Sequence, residues 1–239
     1  MTWTPDICVY HGGCDDGFGA ALAVWKCWGD AVQFVPAGYG KPLGADCTNK
    51  NVIMVDFSLK RDAMEELGRS AASVVVLDHH KTAKAELHPW TIGDEDVDLG
   101  AKLQEVEQNL ALNQMEGVRP IIAYFCMNKS GARMAWEFCM PRVPVPALIA
   151  AVEDRDLWRF AIPSTPKVSA ALRTLPYDFA LWNGLTYGNL GALIAEGEAV
   201  LRGHNKNVSE FIKNRYWTEI GGVRVPVVNV PYHYASDCA

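Results

Sequence analysis

Histidines and aspartates collect at the ends of apolar runs in this sequence. Ile7-Cys8-Val9-Tyr10 leads into His11, with Cys14, Asp15 and Asp16 just beyond. Asn51-Val52-Ile53-Met54-Val55 leads into Asp56, and Ser73-Val74-Val75-Val76-Leu77 into Asp78, His79 and His80. Carboxylates and imidazoles gathered in one place without matching bases are costly unless a cation neutralises them. A mixed His and Asp ligand set suits Mn²⁺, and also Mg²⁺, Zn²⁺ or Fe²⁺. Two such ions about 3.5–4 Å apart grip phosphate oxygens and lower the pKa of a water between them, which then attacks phosphorus in line. Ser58 and Ser130 have no neighbouring base pattern, so a nucleophilic triad lacks support.

For these residues to meet, the runs that carry them must lie side by side. Unalternating β-branched runs separated by helical patterns predict a parallel sheet covered by helices on both faces, an α/β fold. Strands are expected over 7–10, 33–36, 51–55, 73–77 and 120–126. Helices are expected over 20–28, 60–68, 94–115, 130–139 with Ser130 as N-cap, 145–154 and 190–213. Pro163 and Pro166 mark a loop. Two strand-like halves around Gly221-Gly222 predict a hairpin within 215–230. Residues 1–187 thus form one α/β domain, 188–214 a linker helix, and 215–239 the beginning of a second small domain. In a parallel α/β sheet, ligands bind at the carboxyl ends of the strands, where these acidic and histidine residues stand.

Composition narrows the setting. Of 239 residues 49% are hydrophobic, enough for a substantial buried core. The net charge of −6, from 22 Lys+Arg against 28 Asp+Glu, gives no overall basic field to attract long nucleic acid. The seven cysteines are odd in number and include no C-x-x-C pair, which argues against a disulfide framework and for a reducing, cytoplasmic setting. Met1 to Pro5 lacks the pattern of a signal peptide, and no run of about 18 apolar residues predicts a membrane span.

The same segments carry a family resemblance. Leu77-Asp78-His79-His80 resembles the motif that names the DHH phosphoesterases. Val55-Asp56-Phe57-Ser58 resembles that family's second motif, Tyr10 to Ala21 its first, and Glu153-Asp154-Arg155-Asp156-Leu157-Trp158 its fourth. Lys129 to Glu137 resembles a further segment of the group, and order and spacing agree from His11 to Trp158. The resemblance implies two divalent ions, Mn²⁺ before Mg²⁺. Asp56 would bridge them, His11 would bind the first, and Asp16, His79 and Asp154 the second. Asp78 would orient a ligand, and His80 would face the substrate as phosphate binder or acid. From its own chemistry, Arg155 is expected to clamp a phosphate or to pair with Asp156 or another acid. Trp136 and Trp158 read as core or pocket-wall residues rather than base-stacking platforms.

Two departures bear on these roles. The family's first motif has two aspartates spaced D-x-D; here Asp16 matches the second, and Cys14 stands at the first. Asp15, Cys14 or water completes the first ion, and Asp15 is expected because carboxylate suits Mn²⁺ and Mg²⁺ better than a thiolate does. The family's second domain carries a Gly-Gly-rich segment with a substrate-holding His. Val223 to Ala239 resembles only the start of that domain. The expected activity is hydrolysis of a phosphodiester or phosphomonoester in a short oligonucleotide, a cyclic dinucleotide or another phosphorylated nucleotide, with a homodimer left open. The alternatives are a pyrophosphatase and a protein that sequesters a nucleotide without turnover.

Overall fold

A computed structural model describes residues 3–93, 98–113, 117, 119–231 and 234–238. The five runs form strands β1 (Ile7–His11), β2 (Gln33–Ala37), β3 (Asn51–Val55), β4 (Ser73–Asp78) and β5 (Ile121–Phe125). They build one sheet in the order β2-β1-β3-β4-β5, every neighbouring pair parallel. The fold is therefore α/β, as the unalternating runs predict.

Alternate residues of each strand feed opposite cores. Cys8, Ile53, Val55, Val75, Leu77, Ile122 and Tyr124 pack under three helices: α1 (Asp15–Trp28), α5 (Gly131–Cys139) and α6 (Ala147–Asp156). Ile7, Val9, Val52, Met54, Val74, Val76 and Ala123 face Met64 and Leu67 of α2 (Arg61–Ser70) and the buried Leu87 and Trp90, which follow α3 (Lys81–Glu86). Each such side chain contributes about 1.5–3 kcal/mol by leaving water, which makes burial of both faces the main force behind the sheet. Helix α4 (Lys102–Leu112) covers the β5 edge, its Val106 and Leu110 buried; positions 94–97 and 114–115 of the expected 94–115 helix lie outside the described residues.

One helix corrects the expected loop around Pro163 and Pro166. Pro166 lies in the first turn of α7 (Thr165–Leu172), where a missing N–H costs nothing because no helical carbonyl precedes it. A further helix, α8 (Phe179–Tyr187), is capped by Asp178, whose carboxylate accepts the Leu181 N–H at 2.8 Å. The expected linker is α9 (Gly191–Lys213), but its first half belongs to the main body. A Cβ on Gly197 would lie 1.8 Å from the Lys167 carbonyl oxygen, so the α7–α9 crossing requires glycine there. Strands β6 (Tyr216–Ile220) and β7 (Val223–Val227) form the expected antiparallel hairpin, and a single turn, α10 (Ala235–Cys238), follows. Among the described residues, no helix is long and apolar enough to cross a membrane.

Candidate metal centre

In the strand order observed, the chain leaves β1 toward one side for β2 and returns on the other for β3. Such a switch point opens a crevice at the carboxyl ends of the two strands. His11 ends β1 and Asp56 follows β3, so the crevice is lined by both. Asp56 is 1% exposed, and its backbone sits in the left-handed region at φ +54°, a strained state for a side-chain-bearing residue. Its N–H donates to the Leu77 carbonyl at 2.9 Å, which ties the turn to the end of β4. Two glycines let helices close on these strand ends. A Cβ on Gly17 would lie 2.2 Å from the His11 carbonyl oxygen, and one on Gly131 would lie 2.3 Å from the Asp56 Cβ.

The crevice brings together three overlapping groups of ligand-type side chains: His11, Cys14 and Asp56; Asp56, His79 and His80; and Asp16, His79 and Asp156. Asp56 divides its oxygens between them. Oδ2 faces His11 Nδ1 at 3.7 Å and Cys14 Sγ at 4.0 Å, while Oδ1 meets His79 Nε2 at 3.1 Å. His79 Nε2 also lies 3.7 Å from Asp16 Oδ2 and 3.6 Å from Asp156 Oδ2. Asp16 is held by the start of α5: the Gly131 and Ala132 N–H groups donate to its two oxygens at 2.7 and 3.0 Å. A carboxylate at a helix N-terminus is favoured by the unpaired N–H groups there.

Three carboxylates meet here around one imidazole, and their ionisation shows the strain. Burial, then Asp56 and Asp156, pushes the Asp16 carboxyl well above its ordinary range. Burial also pushes Asp156 up. Burial acts on Asp56 the same way, but hydrogen bonds from His11 and His79 outweigh it and bring that carboxyl below its ordinary range. Burial lowers His79, yet Asp56 and Asp16 more than reverse this and raise it to about 9. Burial and then the Asp56 charge push the Cys14 thiol to about 12, so it is a neutral thiol. A donor set of buried carboxylates and imidazoles whose charges strain one another fits divalent cations.

His79 gives a direct prediction. A metal ligand must be the neutral ring, and below pH 9 a cation must displace its proton. Cation affinity should therefore fall about tenfold per pH unit on going down from pH 9, with roughly one proton released per chain near neutrality. Calorimetry of Mn²⁺ binding in two buffers of different ionisation enthalpy counts that proton; a heat independent of buffer contradicts the assignment.

Asp78, expected to orient a ligand, makes hydrogen bonds to both histidines that follow it. It is fully buried, Ser58 Oγ donates to its Oδ2 at 2.7 Å, and its Oδ1 accepts the backbone N–H of His79 at 2.7 Å and of His80 at 3.1 Å. The same oxygen lies 2.6 Å from His80 Nδ1 and raises that ring's pKa. A carboxylate there favours a proton on Nδ1 and leaves Nε2 to face the crevice.

Two expected ligands are not in the cluster. Asp15 begins α1 with its Oδ1 accepting from Tyr177 Oη at 3.1 Å, and burial raises its carboxyl; Cys14, in extended conformation one residue earlier, stands in the first group instead. Asp154 is buried but turned elsewhere, accepting from the Ala161 N–H at 2.8 Å, the Ile162 N–H at 3.1 Å and Thr165 Oγ1 at 2.6 Å. Burial raises its carboxyl, but these three donors hold it below the ordinary range. Asp156 takes its place beside His79. Two residues along a helix is about 200° of rotation, so the two aspartates of Glu153-Asp154-Arg155-Asp156 face opposite ways. Asp156→Asn should weaken metal binding. Asp154→Asn should keep the metal and lower stability by about 1–3 kcal/mol through the lost charge-assisted hydrogen bonds. Metal analysis and thermal melts of both variants check this, and the reverse pattern contradicts it.

Arg155 pairs with rings rather than with Asp156. Its guanidinium lies 4.2 Å from the Trp158 ring centroid and 5.3 Å from that of Phe160, and burial together with Arg173 lowers its pKa. Trp136 is fully buried, as expected for a core residue, whereas Trp158 is 59% exposed.

No family model matches the sequence, and no solved structure matches it. An uncharacterized protein of Acanthamoeba polyphaga mimivirus is 30% identical over 192 residues, a match covering 74% of this chain. The chain spans 39% of that protein's length, so the similarity concerns a part of it.

Proposed function

We propose that this chain is a DHH-type phosphoesterase that uses two divalent ions, Mn²⁺ or Mg²⁺, to hydrolyse phosphoester bonds in short nucleotide substrates. The observation that carries the reading is Asp56, a buried carboxylate with one oxygen toward His11 and Cys14 and the other toward His79, as a bridge between two cations requires. Asp16, His79 and Asp156 would complete one ion's ligands, and His11 with Asp56 would hold the other. Without an ion, burial and the Asp56 charge keep the Cys14 thiol protonated, so the carboxylate and imidazole donors would set the preference for hard ions. Bound there, the ions supply Lewis acidity that offsets phosphate charge and lowers the pKa of a water.

The chain's own residues supply the rest. The strained turn at Asp56 and the α5 N-terminus fix two carboxylates before substrate arrives, so little reorganisation is needed. Asp78 holds His80 with Nε2 toward the crevice, positioned to donate a proton to a leaving oxygen or to bind a phosphate. The acidic net charge favours short substrates over long single strands.

Hydrolysis of bis-p-nitrophenyl phosphate tests the reading. Release of nitrophenolate with Mn²⁺ that stops with EDTA is the expected result. Stoichiometric nucleotide binding with no product from any phosphodiester would replace it with a sequestering role.

A further inference from the structure

Two thiols meet at the far end of the helix pair that carries Asp16. Helices α1 and α5 lie side by side and run in the same direction. Near their starts, Asp16 accepts the Gly131 and Ala132 N–H groups. At their ends, Cys27 in the last turn of α1 meets Cys139, the last residue of α5. Gly19 permits the close approach between the helices, since a Cβ there would lie 3.0 Å from the Ala132 Cβ. The Cys27 thiol donates to the Cys139 carbonyl oxygen at 3.6 Å, and the two thiols also hydrogen-bond to each other.

The environments of the two sulfurs differ. Cys27 is half-buried, whereas Cys139 is buried. The hydrogen bond with Cys139 brings Cys27 below the ordinary thiol range, against the effect of burial. Burial, and then Cys27, pushes Cys139 well above that range. Burial likewise raises Cys8, Cys14 and Cys47. A partly exposed thiol that ionises early is the one an oxidant finds, and a protonated thiol in contact with it can resolve the product. Neither Cys27 nor Cys139 belongs to the ligand groups around Asp56.

We infer that Cys27 and Cys139 form a reversible redox site, in which a hydroperoxide oxidises Cys27 and Cys139 closes a disulfide onto it. The Cys27 thiolate attacks one peroxide oxygen, the O–O bond breaks, and the departing oxide takes up a proton. Cys27 is then a sulfenic acid. The Cys139 sulfur attacks the Cys27 sulfur, the S–O bond breaks, and the hydroxyl leaves as water with the Cys139 proton. The two thiols lose two electrons, and the peroxide gains them. The bridge joins positions 112 residues apart and staples α1 to α5 at the end opposite Asp16.

Hydrogen peroxide is the probe, added to the reduced chain and followed by alkylation without reductant and peptide mass spectrometry. The parent should yield a peptide pair cross-linked through Cys27 and Cys139, which dithiothreitol reverses. Closing so long a loop should raise the melting temperature by about 5 °C or more. Cys27→Ser should slow oxidation of Cys139 by about tenfold or more, because the early-ionising thiol is gone. Cys139→Ser should leave Cys27 as a sulfenic acid that dimedone traps; if that variant does not fold, the parent and Cys27→Ser decide. A bridge from either residue to Cys8 or another cysteine overturns the site. So do full alkylation of both thiols after peroxide and undiminished oxidation of Cys139 in Cys27→Ser. A Cys27–Cys139 bridge that leaves the melting temperature unchanged overturns the staple.

Discussion

Asp56→Asn is expected to lose both cations and at least about 10³-fold of the hydrolytic rate, roughly 4 kcal/mol of transition-state stabilisation. Asparagine keeps the shape and one oxygen, so the strained turn at φ +54° and the bond to Leu77 remain available. It removes the negative charge that faces His11 on one side and His79 on the other. An amide nitrogen directed at either group is a donor where a cation needs an acceptor. Mn²⁺ at a hundred times its dissociation constant should raise the parent's stability by about 2.7 kcal/mol per site and leave Asp56→Asn unmoved. Metal analysis, melting curves and the rate assay read this together. Activity within tenfold of the parent, with ions retained, would show that Asp56 does not bridge them.

Gly131→Ala should damage both the fold and the candidate metal centre. The added Cβ would lie 2.3 Å from the Asp56 Cβ and 2.9 Å from its Cα, against backbone and the first atom of a fixed side chain rather than a flexible tip. Relief requires α5 to shift, and α5 is where the Gly131 and Ala132 N–H groups hold Asp16. Overpacking of this kind costs about 1–3 kcal/mol and sometimes more, which lowers the melting temperature by roughly 2–12 °C for a chain of this size. Cation binding should weaken as well, because Asp16 moves with the helix. Gly203→Ala is the control: a Cβ there meets nothing within 4 Å, and helix propensity favours alanine. A Gly131→Ala protein with parental stability and metal content would mean that α5 does not press on Asp56.

Much of this centre is legible in the chain because sheet and site obey the same rule. Val74-Val75-Val76-Leu77 is buried on both faces, so its composition announces a central parallel strand, and such a strand delivers Asp78 and His79 to the ligand-binding edge. What stays hidden is the direction of neighbours at helix ends. Cys14 and Asp15 are adjacent, yet one is extended and faces Asp56 while the other starts α1 and faces Tyr177. Asp154 and Asp156 are separated by half a helical turn, and their sequence context offers each the same chemistry. The α7 helix is hidden because Pro163 and Pro166 together resemble a loop, although Pro166 in a first turn is equally a helix start. For α8 the signal exists in Asp178, a capping residue three positions before the Leu181 N–H it accepts.

A pair of cations sharing the Asp56 carboxylate would be visible in electron paramagnetic resonance of the metal-free protein titrated with Mn²⁺. Two ions per chain are expected and, at saturation, the spectrum of a spin-coupled pair that disappears in Asp56→Asn. Saturation at one ion, or two ions with only the six-line signal of isolated Mn²⁺, would contradict it.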